Sequence, residues 1–257
     1  MSTLPAWLFA LACSPPPDAP EEFEALSAYL FEQMGTDDAR ALEAGVANLG
    51  TWIGANLDGS KEGYGVELLS QVALDALEGE VERPADQLVG GAVATVSTAT
   101  IDELVEALLQ DDQLSIYPDT YDSFVRVYRD GGTVACFVSG GCTELVADGD
   151  SVTRLPFGIN LTSSYTAQYV WVDGPDDQRV LLTRSWLKEP STSTLLRLEQ
   201  QFFLSVNLRT DDGLVRVQGV WAEPELLGLD VPEATALNLL IDGLRDTDAA
   251  LYEWLDR

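Results

Sequence analysis

Residues 196–221 read LRLEQQFFLSVNLRTDDGLVRVQGVW, and the spacing of apolar residues in this stretch decides the fold. Its first half has a period of two, the period of a β-strand, in which successive side chains point to opposite faces. The residues of the repeating row are Leu196, Leu198, Gln200, Phe202, Leu204, Val206 and Leu208. Asp211, Asp212 and Gly213 then precede a second apolar run, and this turn composition between two such runs predicts a β-hairpin.

The same alternation extends back to Pro118. Its rows comprise Phe124, Arg126 and Tyr128; then Tyr165, Ala167, Tyr169 and Trp171; then Val180, Leu182, Arg184 and Trp186. We therefore predict an antiparallel meander of seven or eight strands over residues 118–222.

Helical spacing dominates the preceding region, residues 21–112. Residues 21–34 place four apolar side chains on one helical face, and Thr36 is the expected cap of a second helix that ends at Gly59. Ser70 is a reasonable cap for a short third helix, and Thr100 with Glu103 has the spacing of a capping box. The part of the chain at 21–112 is therefore predicted to be mainly helical.

A further helix is predicted at residues 232–255, where Pro232 suits a helix start. Its apolar residues repeat with helical spacing and would cover one face of the sheet. We predict a single α+β domain, residues 21–257, with N-terminal helices, a curved sheet or half-barrel, and a long C-terminal helix. This order loosely resembles helix-grip or half-barrel lipid-binding folds, in layout only and without a shared motif.

Charge and composition exclude several classes of function. The 257 residues contain 43 acidic and 14 basic residues, a formal net charge of −29. Nucleic acid is therefore not expected as a partner, because its phosphates need clustered cations. The absence of histidine excludes Ser-His-Asp and Cys-His catalysis and histidine-ligated metal sites.

The amino terminus has the features of an export signal. Residues 4–12 form an apolar run too short to span a bilayer, and residues 10–13, Ala-Leu-Ala-Cys, resemble the lipobox of bacterial lipoproteins. The resemblance implies a signal peptide at 1–12, cleavage before a lipid-bearing Cys13, and a proline-rich tether at 13–20. With Ser14 next to Cys13, it further implies anchoring to the outer membrane. The alternative is a hydrophobic helix followed by a proline linker, with Cys13 incidental.

Cys136 and Cys142 flank Gly140 and Gly141, which can make a tight turn between extended segments. In an oxidising periplasm, a disulfide across this hairpin is one interpretation, and a pair of buried free thiols is the other.

Candidate ligand-binding residues come from the aromatic positions of the meander. Trp171, Trp186, Tyr169 and Phe202 could line an apolar cavity between the sheet and the last helix, although packing in the core explains them equally well. Arg184 shares a predicted face with Trp186, so it is expected either to pair with a carboxylate or to face a polar ligand.

No metal or cofactor site is predicted. Asp148, Gly149 and Asp150 resemble the start of a calcium loop, but Val152 and Ile159 occupy positions that need ligands. These acidic residues, and Asp176 with Asp177, are interpreted as turns between strands.

Three functions stay open from the sequence. The preferred one is a non-catalytic envelope lipoprotein that binds an apolar ligand or an envelope protein. The others are a histidine-independent hydrolase acting on envelope carbohydrate or lipid, and a structural envelope component.

Overall fold

The computed structural model describes residues 18–36, 38–79, 81–129, 133–155, 159–175, 178–193, 197–223, 225–226, 229–230 and 232–257. The predicted leader, Cys13 and most of the tether lie outside these ranges, as do Leu196, Asp176 and Asp177. Within these ranges, no helix combines the length and the apolar character needed to cross a membrane.

The helices follow their predicted capping signals with one exception. They are α1 (Phe23–Gln33), α2 (Ala39–Ser60), α3 (Gln71–Asp75), α4 (Ile101–Leu109), α5 (Gln113–Ile116), α6 (Val134–Val138) and α7 (Glu233–Leu255). The capping box of Thr100 and Glu103 is present at α4. The prediction of Thr36 as the cap of α2 is wrong, because Asp38 accepts the backbone N–H of Arg40 there and Thr36 donates back to the Gln33 carbonyl.

Antiparallel strands form the centre of the protein. They are β1 (Tyr64–Gly65), β2 (Val89–Ser97), β3 (Tyr121–Tyr128), β4 (Glu144–Leu155), β5 (Ile159–Asp173), β6 (Arg179–Leu187), β7 (Ser191–Thr192), β8 (Arg197–Leu198), β9 (Gln201–Thr210), β10 (Gly213–Ala222), β11 (Glu225–Leu226) and β12 (Leu229–Asp230). The main sheet has the order β1-β2-β10-β9-β6-β5-β4-β3, with β7 and β8 off this path. Its two ends do not pair, so the sheet is open. The predicted α+β class is confirmed.

Residues 21–112 are mainly helical, as predicted, but they also contain the unpredicted strand β2. It pairs with β10 from Val89 to Ser97. Two glycines permit this central position: a Cβ on Gly90 would lie 2.6 Å from Trp221, and one on Gly91 would lie 2.6 Å from Leu237 of α7. A strand with close neighbours on both faces needs these small residues.

The interpretation of Asp148 and Asp150 as turn residues is wrong. Both lie in the middle of strand β4, paired with β5. Asp148 accepts from Arg129 on both carboxylate oxygens, at 2.7 Å each, and from Lys188 at 3.0 Å. Gly149 between them makes room for the ring of Tyr165, which a Cβ would meet at 2.2 Å.

Helices cover both faces of the sheet. The α1–α2 face packs against α1 and α2 and contains the largest hydrophobic cluster. Members of this cluster include Phe23, Leu30, Phe31, Val46, Ile53, Leu182, Trp186, Phe202, Val217 and Trp221. The side chain of Asn48 on α2 also donates to the carbonyl oxygens of Ala19 and Pro20, so the first described residues lie against this helix.

The opposite face, called here the α7 face, is covered by α4, α5, α6 and α7. Helix α7 packs on β2 and β10 through Ile241 and Leu244, as the C-terminal periodicity predicts. Helix α4 and helix α6 pack on β5 and β6 through a second cluster that includes Val105, Phe137 and Leu181. The space between these two contact regions contains the candidate site.

Candidate functional site

A cavity of about 390 Å³ lies on the α7 face. Its walls come from β3, β4, β5, β6, β9, β10, the ends of α4 and α5, and α7. The aromatic and aliphatic part of the lining comprises Leu108, Tyr117, Tyr121, Phe124, Leu161, Tyr165, Ala167, Tyr169, Leu187, Phe203 and Leu244. The polar part includes Gln113, Arg126, Ser151, Thr183, Ser185, Ser205, Arg216, Gln218 and Thr247. The cavity is therefore amphipathic.

A buried ion pair joins one wall to α7. Arg216 on β10 and Asp248 on α7 lie 3.2 Å apart, with side-chain exposures of 8% and 1%. Arg216 also donates through Nε to Ser205 at 3.1 Å, and Asp248 accepts from Thr95. Burial by itself lowers the pKa of Arg216, but Asp248, Tyr117 and Tyr252 raise it above its ordinary value. Arg216 is therefore a permanent cation whose charge is matched within the protein.

Two uncharged side chains of the described lining have a polar atom without a hydrogen-bond partner. Among the described residues, none forms a hydrogen bond with Nε2 of Gln218 or with Oγ1 of Thr183. Gln218 is 5% exposed. A buried polar group without a partner costs free energy, so these positions are where a bound ligand would recover hydrogen bonds.

Arg126 on β3 is the second arginine of the cavity. Its Nη1 donates to the Leu108 carbonyl at 2.9 Å and to the Tyr169 hydroxyl at 2.8 Å, and its Nη2 donates to the Gln110 carbonyl at 2.8 Å. The guanidinium carbon lies 5.5 Å from the ring centre of Phe124 and 5.4 Å from that of Tyr128. Arg126 thus ties the edge strand to the end of α4.

Tyr117, Tyr121 and Tyr165 of the cavity, and Tyr128 beside Arg126, are neutral at physiological pH. Burial raises the pKa of Tyr117, Tyr121 and Tyr165 above the ordinary tyrosine value. Burial also raises the pKa of Tyr128 to about 12, against the lowering effect of Arg126. These hydroxyls can donate and accept hydrogen bonds, but they are not poised to act as general bases near neutral pH.

The structure divides the five predicted cavity residues between the two faces. Tyr169 lines the cavity and bonds to Arg126. Trp171 lies on the same face but is outside the lining: its ring stacks on Phe137 at 5.4 Å, and its Nε1 donates to the Phe137 carbonyl at 3.0 Å. Packing accounts for Trp171.

Phe202 and Arg184 lie on the α1–α2 face and outside the lining, so their assignment to the cavity is wrong. Trp186 is among the lining residues, although its side chain also lies on the α1–α2 face. Phe202 is 1% exposed and lies edge-on to Phe31 of α1. Trp186 borders the cavity, but its indole belongs to the α1–α2 cluster and donates to the Glu78 carbonyl at 2.9 Å. A shift of one residue in a strand exchanges its faces, and strands buried on both sides give no polar face to distinguish them.

Arg184 meets the end of α1. Its Nη1 donates to the Phe31 carbonyl at 3.0 Å and its Nε donates to Gln168 at 2.6 Å. Burial lowers the pKa of Arg184 to about 10, against the raising effect of Glu144. Carbonyls in the last turn of a helix lack intrahelical partners and favour cations. Arg184 is therefore a C-terminal cap of α1.

Cys136 and Cys142 form a disulfide with a Cα–Cα distance of 5.4 Å. The local structure differs from the predicted hairpin, because Cys136 lies in α6 and the chain turns back through Gly140, which has a φ of +78°. Thr133 caps this short helix by accepting from the N–H of Cys136. The disulfide therefore holds the end of α6, whose Phe137 supports Trp171.

Arg126, Arg216 and Gln218 of the cavity lining were not predicted from the sequence as site residues. The signal was present, because in residues 214–221 the polar Arg216 and Gln218 alternate with Val215 and Val217. Arg126 similarly alternates with valines between two aromatic residues. A polar residue in alternation with apolar ones is normally interpreted as facing solvent. Here β10 is buried on both faces, and on β3 it is Val125 and Val127 that are exposed. Within the described residues, no group of three or more metal-binding side chains is found.

Replacing Arg184 with Met should destabilise the fold by about 1–2 kcal/mol, because α1 loses its cationic cap and the Phe31 carbonyl loses a donor. Ligand binding in the cavity should not change, since the side chain lies on the other face. Urea unfolding and titration with the neutral fluorophore N-phenyl-1-naphthylamine measure the two effects. Unchanged stability together with weaker binding would contradict the capping role.

The Arg216–Asp248 pair should behave as one unit in a double-mutant cycle. Arg216→Met and Asp248→Leu should each cost about 3–5 kcal/mol, because each leaves an uncompensated buried charge. The double variant should be more stable than either single variant, since no charge is then left unpaired. Urea unfolding of all four proteins gives the coupling free energy, and simple additivity would refute this account.

No protein-family model matches the chain, and no curated protein matches its sequence. Solved structures similar to it include human STARD10, with 10% identity, 65% of this chain and 62% of that chain covered, and a TM-score of 0.41. The di-domain ARO/CYC BexL from the BE-7585A biosynthetic pathway gives 10% identity, coverages of 80% and 58%, and a TM-score of 0.43. An uncharacterized protein from Rhizobium leguminosarum gives 11%, coverages of 66% and 95%, and a TM-score of 0.38. These values are low, so what the cavity can bind must be argued from this chain's own residues.

Proposed function

We propose that this chain is a non-catalytic protein that binds an apolar or amphipathic small molecule in the cavity on the α7 face. We further propose that it acts in the cell envelope, exported and held at the outer membrane by acyl chains on Cys13. The first part rests on the geometry of the cavity, and the second on the sequence of residues 4–20 alone.

The observation that carries the binding function is the cavity itself. Its volume of about 390 Å³ falls within the range of small-molecule sites, roughly 300–1,000 Å³. Aromatic and aliphatic side chains line most of it, and a few polar groups, including the unpartnered Gln218 and Thr183, are available to orient a ligand. A pocket of this composition supports a small-molecule ligand over an envelope protein as the bound partner.

The hydrolase alternative lacks support from this site. Hydrolysis of carbohydrate without histidine needs two carboxyl groups facing the substrate, and none of the residues that line the described cavity is an aspartate or glutamate. The carboxylate of Asp248, which contacts the lining residue Arg216, also accepts a hydrogen bond from Thr95. A purely structural role would not account for the amphipathic cavity.

Ser185→Phe should block the cavity. Ser185 lines it from the central strand β6, so a phenyl ring there would occupy the space of the ligand. We expect N-phenyl-1-naphthylamine to bind the wild-type protein saturably at one site. The variant should bind at least about tenfold more weakly, a loss of about 1.4 kcal/mol.

Ser123→Phe is the matched control, since Ser123 lies on the exposed side of β3 and outside the lining. It should bind the probe as the wild type does. A wild-type protein that takes up no probe, or a Ser185→Phe variant with full affinity, would refute the assignment of the cavity.

Cys13→Ala should release the full-length chain from the membrane fraction of a Gram-negative host, because the acyl chains have no other attachment point in the lipobox. Ser14→Ala serves as the control and should remain in the membrane fraction. Immunoblots of separated fractions, with mass spectrometry of the N-terminal peptide, give the result. A Cys13→Ala variant that stays with the membrane would overturn the anchoring proposal and leave the cavity proposal intact.

A further inference from the structure

The cavity has the opposite charge from the rest of the protein. Across the chain, 43 acidic residues outnumber 14 basic ones and give a net charge of −29. In the lining of the described cavity the only ionised side chains are those of Arg126 and Arg216. A random sample of this composition would contain mostly carboxylates. The reversal points to a ligand that carries negative charge.

Arg216 does not supply the free positive charge. Its guanidinium is neutralised by Asp248 at 3.2 Å and donates through Nε to Ser205, while its Nη1 forms no hydrogen bond with a described residue. Asp248 in turn also accepts from Thr95. The ion pair therefore contributes little net charge to the cavity. Its role is structural, because it connects β10 to α7.

Arg126 has a different environment. Its three hydrogen-bond acceptors, the carbonyls of Leu108 and Gln110 and the hydroxyl of Tyr169, are all uncharged. None of the ion pairs between described residues includes it. Its Nε is buried and has no acceptor among those residues. The guanidinium therefore retains its full positive charge and part of its donor capacity.

Partial burial of Arg126 makes this charge costly without an anion. A cation removed from water is stabilised only by a partner of opposite charge or by several dipoles. Aromatic rings supply part of that stabilisation, since Phe124, Tyr128 and Tyr169 surround the guanidinium within 6.0 Å. An anionic group of a ligand would supply the rest. A carboxylate suits a guanidinium, because both are planar and the two can form parallel hydrogen bonds.

We propose that the ligand is an amphipathic carboxylic acid whose carboxylate is recognised by Arg126 and whose apolar body lies among the aromatic side chains of the cavity. This inference rests on the proposed binding function and specifies its ligand class. Phe124 and Tyr165 stand next to Arg126 in the lining, with their rings 6.1 Å apart. The apolar part of the acid would start there and extend toward Leu161, Leu187 and Phe203.

Displacement of N-phenyl-1-naphthylamine by decanoate and by decanol tests the proposal at neutral pH. The two competitors have the same chain and differ in the acidic group. The wild-type protein should bind decanoate at least about tenfold more tightly than decanol, the ratio expected of one charge-assisted hydrogen-bonded pair. In the Arg126→Gln variant this preference should disappear, and the affinity for decanol should stay within about twofold of wild type.

Arg197→Gln is the matched control, because Arg197 lies on the surface with 64% of its side chain exposed and is paired with Glu199. The Arg197→Gln variant should keep the full preference for decanoate over decanol. If this variant lost the preference, general electrostatics would explain it, and the role of Arg126 would be overturned. Arg126 also bonds the end of α4, so R126Q is compared with wild type by circular dichroism. If R126Q does not fold, the wild-type ratio decides alone.

Two negative outcomes separate the two proposals. Equal binding of decanoate and decanol, with the fluorophore displaced by both, would overturn the acid-binding inference and leave the cavity as a binding site. Failure of the wild-type protein to bind the fluorophore or either competitor would overturn the binding function itself.

Discussion

The ion pair between Arg216 and Asp248 is the contact on which the arrangement of the site depends. It connects the centre of the sheet to the C-terminal helix at a depth where both side chains are almost fully buried. Because breaking such a pair leaves a charge in a medium that solvates it poorly, α7 is fixed at one position on β10. Thr95 extends the network from Asp248 to the hydroxyl of Tyr252. The cavity keeps its width because the helix on one side is held by this polar anchor and not only by apolar packing.

The second arginine is used differently. Arg126 is held by neutral carbonyl and hydroxyl oxygens and by aromatic faces, all of which orient a cation without neutralising it. The two arginines therefore have different roles: Arg216 supports the cavity wall, and Arg126 presents a positive charge that no carboxylate of the described residues neutralises. In a protein with a net charge of −29, a positively charged cavity is also selective. The acidic surface repels anions in general, so only an anion with an apolar part that fits the cavity binds favourably there.

Arg184 shows how a buried arginine can be mistaken for a ligand contact. It lies beside Trp186 and Phe31, the surroundings expected of a binding residue, yet it serves the last turn of α1. The difference between Arg184 and Arg126 is the face of the sheet on which each side chain lies. On the α1–α2 face the helices pack directly on the strands. On the α7 face, α4 and α7 meet around Leu104 and Leu251, and the cavity lies beside this contact, lined by Leu108 of α4 and Leu244 of α7.

The sequence by itself determined the α+β class, the antiparallel meander, the C-terminal helix and the helix caps Ser70 and Thr100, because these depend on residue spacing and on bonds between near neighbours. The sequence did not predict β2. Its run of glycine, alanine and valine is stabilised as a strand by pairing with β10 and by close packing of α7 on one face. Of the predicted cavity residues, Tyr169 and Trp186 lie at the cavity, whereas Trp171, Arg184 and Phe202 pack elsewhere. Only the tertiary structure decided which face of each strand meets the cavity, because that depends on where two layers of helices contact the sheet and where they leave a gap.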